Sequence, residues 1–355
     1  LKNMSFYAYH RLTDGRLRER FGLDFEDFQP GQKFRHRPGV TLSQQDNVDE
    51  ALDTLNGAML HYDAHYAAQT SWKRELMVST VTLQRLIGMS SKTFARKHAI
   101  SGFDEIAMTA PVFGGDTLYA ESEVLAVAPS QDANLGEVKV LCRGINQAGR
   151  EIARVTYTVN VYRKGKHPEH QTPELAGAPA EEARFLAYHQ NTEGYYTEQT
   201  GVFFEDFQPG ETFIHWPRRT FTRDEGIEHA RRSLELSPQY HDLDWATRFN
   251  QGELRLSEPW VVGAATALTT RTFGRVAANL GWTGLKLATP VRAGDTLEAQ
   301  STIVDSRASQ SRPSEGILTV DTLARNQRGE TVLSFRRKLL VYKRSAPTPY
   351  LAAGY

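Results

Sequence analysis

Three polar side chains of different chemistry, Asn56, His61 and Asp63, lie within the stretch NGAMLHYDAHYA at residues 56–67. A histidine can take or give a proton near neutral pH, a carboxylate can orient it, and an amide can hold water without titrating. The stretch precedes an apolar segment with helical periodicity, and helix starts present free N–H groups and a positive dipole end. It therefore predicts proton-transfer chemistry centred on His61, and the alternative is a polar helix entry with a solvated histidine.

Length and composition limit the classes of protein to consider. At 355 residues the chain is long enough for two domains with cores of their own. Lys plus Arg and Asp plus Glu number 42 each, so there is no basic footprint for nucleic acid. The single cysteine, Cys142, excludes an internal disulfide and indicates a reducing, cytoplasmic location. No apolar run is long enough to span a membrane, and no metal-ligand cluster is evident.

The chain repeats itself. GLDFEDFQPG at residues 22–31 returns as GVFFEDFQPG at residues 201–210, a shift of 179 residues. The same shift superposes PVFGGDTL at residues 111–118 on PVRAGDTL at residues 290–297, and it matches further positions on either side. We interpret the chain as a tandem duplication of a unit of roughly 145 residues.

In each unit the spacing of the apolar residues changes once along the sequence. A helix is predicted from Ser79 to Lys97 in the first copy, and another after Ser257 with apolar positions continuing to Leu280 in the second. After each helix the apolar spacing becomes two, with Gly-rich turns, which predicts three antiparallel strands. The fold class is therefore α+β, a tandem double hot-dog in which an antiparallel sheet wraps one long helix per unit.

The predicted organisation has five segments. Residues 1–20 are assigned to an N-terminal extension that either wraps the body or frays, because they show no period, and residues 166–200 to a linker rich in Pro, Ala, Gly and charge. The two hot-dog domains occupy residues 21–165 and 201–345, and residues 346–355 form a tail.

With these residues in view, the chain resembles the MaoC-like hydratases, also called type-2 enoyl-CoA hydratases, in their double form. The family's active segment has an aspartate, a histidine five residues later, then x-Asp and a small residue; Asn56, His61, Asp63 and Ala67 stand at these positions. The PV-x-x-GDTL segments are also typical of it. Within the family, the FEDF start, the AANLGW segment at residues 277–282 and the length are most similar to the mesaconyl-CoA hydratase (β-methylmalyl-CoA dehydratase) group.

The resemblance implies an acyl-CoA hydratase or dehydratase that needs no cofactor beyond the coenzyme A of its substrate. His61 would be the base, Asn56 would position the water, and Asp63 would orient His61 or carry a proton. Backbone N–H groups at the helix start would bind the thioester oxygen, and the residues expected there are Val78, Ser79 and Thr80. One departure matters, because the family's aspartate is replaced by Asn56, whose amide cannot titrate near neutral pH.

The second copy has its own polar stretch, SPQYHDLDWA at residues 237–246, but the shift places Tyr240 opposite His61 and leaves His241 one residue out of register. We expect a degenerate site there that holds the acyl part of the substrate. Arg337 interrupts an apolar face of the last strand and is the candidate partner for a substrate carboxylate; the alternative is a surface arginine. Basic residues at 336–338 and 343–344 are candidates for the coenzyme A phosphates.

Two other functions remain open at the level of sequence. A hot-dog thioesterase would carry an acidic residue on its central helix, and residues 79–97 contain none. A non-catalytic acyl-CoA binding protein would use the same fold without the base. The expected partner is a small acyl-CoA, with no nucleic acid and no membrane, and the chain is expected to be a monomer or a homodimer, because two copies already supply a pair of hot-dog units.

Overall fold

A computed structural model describes residues 5–172 and 177–353. No helix in these two ranges is both long and apolar enough to cross a membrane. The elements up to residue 162 are β1 Tyr9–Leu12, β2 Leu17–Glu19, β3 Lys33–Thr41, α1 Gln44–Asp53, α2 Ala64–Gln69, α3 Ser79–Met89, α4 Ser91–Phe94, β4 Lys97–Met108, β5 Thr117–Pro129, β6 Leu135–Asn146 and β7 Glu151–Tyr162.

The remaining elements follow the same order after a stretch of short strands. They are β8 Gly177–Pro179, β9 Tyr188–Gln190, β10 Tyr195–Glu198, β11 Thr212–Ile214, β12 Arg219–Thr220, α5 Arg223–Arg232, α6 Leu243–Phe249, α7 Glu258–Leu268, β13 Val276–Leu287, β14 Thr296–Ala308, β15 Glu315–Arg325, β16 Thr331–Tyr342 and α8 Pro349–Ala352. The predicted α+β duplication is therefore present, with the long helices α3 and α7 at equivalent places.

Each half is a mostly antiparallel sheet that curls around one of these helices. The first sheet has the strand order β4-β7-β6-β5-β3-β10-β9, and the second has β13-β16-β15-β14-β11-β2-β1-β8. The apolar face of α3 packs on the first sheet, where Val81 and Leu86 join one buried cluster with Val140 and Val155. Gly144 permits this close approach, since a Cβ there would lie 2.8 Å from the Leu86 side chain.

The N-terminal extension and the linker are not what the sequence predicted, because both contribute strands. Strand β2 pairs in parallel with β11 of the second half, and β10, inside the predicted linker, pairs in parallel with β3 of the first half. The two hairpins are related by the same shift of 179 residues, with Ala8-Tyr9-His10 repeated at residues 187–189. The repeat therefore begins about a dozen residues earlier than predicted, and each copy lends its first hairpin to the sheet of the other.

Buried polar networks lock the exchanged hairpins in place. Glu198 at the end of β10 accepts hydrogen bonds from His36 Nδ1 at 3.0 Å and from Thr93 Oγ1 at 2.7 Å. Burial raises the pKa of the Glu198 carboxyl, but its contacts with His36, Lys92 and Thr93 outweigh burial and hold that pKa below its usual range. In the second half, Glu19 likewise accepts from Thr272 Oγ1 at 2.6 Å.

The central helices are shorter than predicted, and each unit has four long strands rather than three. Helix α7 ends at Leu268, and Val276 and Leu280, predicted on its apolar face, belong to β13. Threonine hydroxyls at the end of α7 bond to backbone carbonyls, as Thr269 Oγ1 does to Thr266 O at 2.7 Å, and such bonds favour helix termination. At the end of α3, Ser90 Oγ bonds to Ile87 O at 2.7 Å in the same way.

Candidate active site

His61 ends a short 3-10 turn, Met59–His61, between α1 and α2. Its Nδ1 lies 2.7 Å from the carbonyl oxygen of Leu76. Because a carbonyl can only accept, Nδ1 carries the hydrogen, and in the neutral ring Nε2 then holds a free lone pair. Nε2 has no hydrogen-bond partner among the residues that the structure describes. The imidazole is therefore oriented and set in the tautomer that a general base at Nε2 requires.

Asn47 on α1 holds the backbone around His61. Its side chain is fully buried, and its Nδ2 donates to the carbonyl oxygens of His61 at 2.8 Å and of Leu76 at 3.0 Å. Its Oδ1 accepts from the Val78 N–H at 2.7 Å. One amide thus ties together the histidine turn, the carbonyl that orients the imidazole and the residue before α3.

Sequence reasoning did not find Asn47, although a signal exists. It stands four residues before the buried Ala51 on α1, so the two share the inward face of that helix. A buried amide on such a face must find several partners, because its desolvation is costly otherwise. Gln44, one turn earlier, also donates to the His61 carbonyl oxygen at 2.9 Å.

The structure corrects the expected role of Val78. Its N–H is occupied by Asn47, so it is not a free donor for a thioester oxygen. Ser79 and Thr80 begin α3 and are exposed, which leaves their backbone N–H groups as the predicted donors. The Thr80 hydroxyl donates to Glu50 Oε1 at 2.6 Å, and Gln84 Nε2 reaches the same oxygen at 3.0 Å. Glu50 lies on α1 and is therefore a half-buried carboxylate beside the first turn of α3.

Asn56 and Asp63 have local roles in the structure. Asn56 Oδ1 accepts from the Ala58 N–H at 3.0 Å, and Asp63 Oδ1 accepts from the Tyr66 N–H at 2.9 Å as the N-cap of α2. Within the described ranges no hydrogen bond joins Asp63 to His61, and the Leu76 carbonyl, not Asp63, orients the imidazole. An N-cap carboxylate satisfies otherwise free N–H groups, which accounts for Asp63 without any catalytic role.

Arg337 on β16 is a buried cation, with only 3% of its surface exposed. One guanidinium nitrogen donates to Thr269 Oγ1 at the end of α7, and the ring of Phe273 lies 5.3 Å from the guanidinium carbon. Its Nε is buried without a partner, and no carboxylate in the described part of the chain pairs with it. Burial lowers the pKa of Arg337 to about 10. The expectation of a surface arginine is therefore wrong, whereas its role towards a substrate remains a prediction.

Of the other predicted cations, Arg336, Lys343 and Arg344 have partners and Lys338 is exposed; Lys343 Nζ donates to the Pro313 carbonyl oxygen at 2.9 Å. Arg336 forms two hydrogen bonds with the Asp321 carboxylate at 2.7 and 2.8 Å, and Arg344 pairs with Asp206. No group of three or more His, Cys, Asp or Glu side chains that could hold a metal ion occurs among the described residues.

The second half carries a different set of groups at the equivalent turn, Pro238–Tyr240. Tyr240 stands at the place of His61 and donates its hydroxyl to Glu258 on the first turn of α7. Burial and the Glu258 carboxylate both raise the pKa of Tyr240. His241 follows the turn, as the register of the repeat predicted, and Asp242 caps α6 as Asp63 caps α2.

Comparison with known proteins agrees with this duplicated architecture. Residues 27–143 match the family model described as MaoC like domain, and residues 182–349 match the one described as mesaconyl-CoA hydratase. Together the fold and these matches define a double hot-dog protein. The first half of the chain is thus similar to MaoC like domains, and the second half is similar to mesaconyl-CoA hydratases.

Several characterised relatives share part of the sequence. A mesaconyl-CoA hydratase of Cereibacter sphaeroides is 34% identical over 158 residues, which is 42% of this chain and 43% of that protein. A mesaconyl-CoA hydratase of Haloarcula marismortui is 29% identical over 150 residues, 42% of each chain. A β-methylmalyl-CoA dehydratase of Chloroflexus aurantiacus is 26% identical over 102 residues, 29% of each chain. Each of these alignments spans less than half of the relative's length.

Solved structures align along most of the chain at lower similarity. A MaoC domain protein dehydratase from Chloroflexus aurantiacus is 20% identical with a TM-score of 0.40, over 91% of this chain and 98% of that chain. A Mycobacterium tuberculosis protein described as having a double hotdog fold is 21% identical with a TM-score of 0.38, over 90% of this chain and 99% of that chain.

Proposed function

We propose that the chain is a hydro-lyase that adds water to, or removes it from, an α,β-unsaturated coenzyme A thioester, with mesaconyl-CoA and β-methylmalyl-CoA as the substrate pair. The observation that carries this proposal is the oriented imidazole of His61, with Nδ1 bonded to a backbone carbonyl and Nε2 free. The names of the partial relatives support the choice of substrate. No cofactor is needed, because the thioester itself activates the double bond.

Hydration begins at the β-carbon. Nε2 of His61 takes a proton from water as the water oxygen forms its bond to that carbon, and the displaced electron pair moves through the α-carbon onto the thioester oxygen. The backbone N–H groups of Ser79 and Thr80, at the start of α3, would stabilise the charge that develops there. Asn56 would hold the water, as an amide can do without titrating.

The reaction is completed at the α-carbon. The enolate collapses, the thioester carbonyl re-forms, and the α-carbon takes a proton from a donor; the proton that His61 took from water then passes to this donor, so that one water has been added and both groups are restored. Since Asn56 cannot supply a proton, another titratable group has to act as the donor. We assign this role to Glu50, which is half-buried and hydrogen-bonded to Thr80 at the same helix turn. Dehydration runs through the same steps in reverse.

A thioesterase is the second candidate, and Glu258 is the observation that favours it. This acidic residue lies on the first turn of the central helix α7, where α3 has no acid. Its Oε2 accepts the Tyr240 hydroxyl, so it would have to release that bond before it could activate water. The hydro-lyase is preferred because the second half has no histidine at the equivalent position to take the proton.

Mass spectrometry of the products separates the candidates. The purified chain is incubated with mesaconyl-CoA, crotonyl-CoA and a saturated acyl-CoA. The proposal expects mesaconyl-CoA to gain one water. Release of free coenzyme A would identify a thioesterase, and unchanged substrates would leave an acyl-CoA binding protein; either result would refute the proposed activity.

A further inference from the structure

A cavity of about 990 Å³ lies between the two halves, lined by residues of both. Its walls follow the duplication, since Ser91 and Lys92 after α3 face it together with their equivalents Thr270 and Arg271 after α7. The exchanged hairpins supply other walls, with Arg20 from one and Gln199 from the other. The cavity therefore straddles the axis that relates the copies, and its volume is at the upper end of the range for small-molecule sites.

The charge of this cavity is strongly one-sided. Among the described residues that line it, Glu19 is the one acid, and its oxygens accept from Thr272 Oγ1 and the Trp216 N–H. The basic residues that line it are Arg20, Arg37, Arg85, Lys92, Arg184 and Arg271. A cavity with this imbalance attracts anions, and its low-dielectric walls strengthen that attraction.

Most of these cations already have partners. Arg20 pairs with Asp24 and Asp27, Arg85 with Asp46, and Arg184 with Glu182 and Glu211. The Arg37 guanidinium donates to the His36 carbonyl oxygen at 2.9 Å. Lys92 and Arg271, the pair related by the duplication, form no salt bridge within the described ranges, although the carboxylates of Glu198 and Glu19 attract both of them at longer range.

The surroundings of this pair suit an anionic ligand. The Lys92 ammonium donates one hydrogen bond, to the Gln199 carbonyl oxygen, which leaves two N–H groups for another partner. Arg271 rests on the ring of Phe21, 4.4 Å from its centroid, and makes no hydrogen bond to any described residue. Thr200, also in the lining, has a buried hydroxyl without a partner, as a group that awaits a ligand or water would have.

We propose that this cavity binds the phosphate groups of a nucleotide-sized ligand through Lys92 and Arg271. Arginine offers a bidentate fork to phosphate, and lysine adds a point charge beside it. The rings of Phe21 and Phe185 and the side chain of Met89 line the same cavity and supply apolar surface for the organic part of the ligand.

The phosphates can come from two sources. One is the nucleotide end of a coenzyme A thioester, and this source rests on the proposed function. Gln84 on α3 lines the cavity five residues after Ser79, about 8 Å along the helix from its start, which Asn47 connects to the turn of His61. A thioester bound in the cavity could therefore extend along α3 to the histidine. The other source is a separate nucleotide that binds as an effector.

Calorimetry on the full chain tests the site directly, with coenzyme A, ADP and adenosine as probes. Coenzyme A, ADP or both are expected to bind, and adenosine, which lacks phosphate, is expected to bind much more weakly. Arg271→Gln should weaken binding of the phosphate-bearing probes at least about tenfold, and Lys92→Gln should do the same. Arg154→Gln, which removes an exposed cation on β7 outside the cavity, serves as the matched control. Equal affinity for adenosine, or equal affinities in the Arg271→Gln and control variants, would overturn the proposal.

Competition and kinetics then identify the source. If the thioester is the ligand, ADP competes with coenzyme A, and Arg271→Gln raises KM for a coenzyme A thioester while kcat is kept. If a separate nucleotide is the ligand, ADP binds without displacing coenzyme A. Because calorimetry needs no turnover, a chain that binds phosphate but hydrates nothing would refute the proposed function and leave this site standing.

Discussion

The two halves share one fold but differ at the turn that precedes the central helix. In the first half the 3-10 turn ends at His61 and Asn47 holds it, whereas in the second the turn ends at Tyr240 and Gly226 replaces Asn47. Both turns are nevertheless followed by a helix that begins with an aspartate cap. The fold therefore does not require the histidine or its buried clamp, and their presence in only one half is best explained by chemistry.

The halves also differ in where their titratable groups are engaged. Nε2 of His61 is free, but the Tyr240 hydroxyl donates to Glu258, so in the second half these two groups are hydrogen-bonded to each other. At the position of Glu50 the second half has His229, whose ring stacks on Trp260 with centroids 4.2 Å apart. Under the proposed function catalysis belongs to the first half, and each of the following variants tests that assignment.

The largest effect is expected from His61→Ala. Without the base, turnover of mesaconyl-CoA should fall by about a hundredfold to ten-thousandfold, the usual range for general acid–base catalysis. Tyr240→Phe, the equivalent change in the second half, should keep kcat within about threefold, and His65→Ala, which removes an exposed histidine on α2, is the control. If Tyr240→Phe were the more damaging variant in a steady-state assay, the catalytic half would have been assigned the wrong way round.

Glu50→Gln should come next, with a loss in kcat of about a hundredfold, the low end for a proton donor. The amide can still accept hydrogen bonds from Thr80 and Gln84, so the structure should be retained while the proton is lost. Asp49→Asn, an exposed neighbour on α1, is the matched control. A profile of kcat against pH should lose one limb only in Glu50→Gln, and an unchanged profile with normal turnover would show that Glu50 is only structural.

Asn47→Ala should affect stability and turnover together. It leaves the Val78 N–H without its partner and removes one of two donors from each of the His61 and Leu76 carbonyl oxygens, which costs about 1–3 kcal/mol of unfolding free energy, and it frees the segment that orients His61. We expect kcat to fall by about tenfold to a hundredfold, since small misplacements of a catalytic group are costly. Gln44→Ala removes one bond to the His61 carbonyl oxygen and one long bond from Asn47 Nδ2, at 3.3 Å, and should change both quantities less because Asn47 keeps its bonds to His61, Leu76 and Val78.

Denaturant unfolding and steady-state kinetics on these two variants give the comparison. A loss of stability in Asn47→Ala with unchanged kcat would mean that Asn47 stabilises the fold and has no part in positioning His61 for catalysis.

The sequence predicted much of this arrangement, because its signals were repeated. The register that sets Tyr240 opposite His61, the strand that follows Gly115 and the two central helices all followed from the shift of 179 residues and from apolar spacing. Positive φ at Gly115 and its equivalent Gly294, 98° and 90°, explains why glycine stands at both turns. Local sequence patterns were sufficient to predict the elements whose contacts lie within one copy.

Contacts between the copies could not be predicted in the same way. The hairpin at residues 9–19 and its equivalent at residues 188–198 are short, and nothing local indicates which sheet a short strand joins. The clamp by Asn47 also depends on segments that meet only in the folded chain, as Leu76 lies 29 residues away from it. A polar residue on a helix is predicted at the surface unless its distant partners are known.

Arg337→Met is the variant with the smallest expected effect. It tests a further difference between the halves, because Arg337 of the second half occupies the strand position of Tyr157 in the first. If Arg337 binds a substrate carboxylate, KM for mesaconyl-CoA should rise about tenfold, while KM for crotonyl-CoA, which lacks that carboxylate, stays constant.

The stability of the Arg337→Met variant at neutral pH should be unchanged or higher than that of the wild type, because an unpaired buried charge is replaced by an apolar side chain. The pKa of about 10 in the folded chain lies below that of the unfolded chain. The charged form therefore destabilises the fold, and wild type should gain stability relative to Arg337→Met as the pH rises through 10. Arg336→Met, which loses an exposed pair with Asp321, is the control for both measurements. Equal KM changes for the two thioesters would remove Arg337 from substrate recognition and leave it as a support for the end of α7.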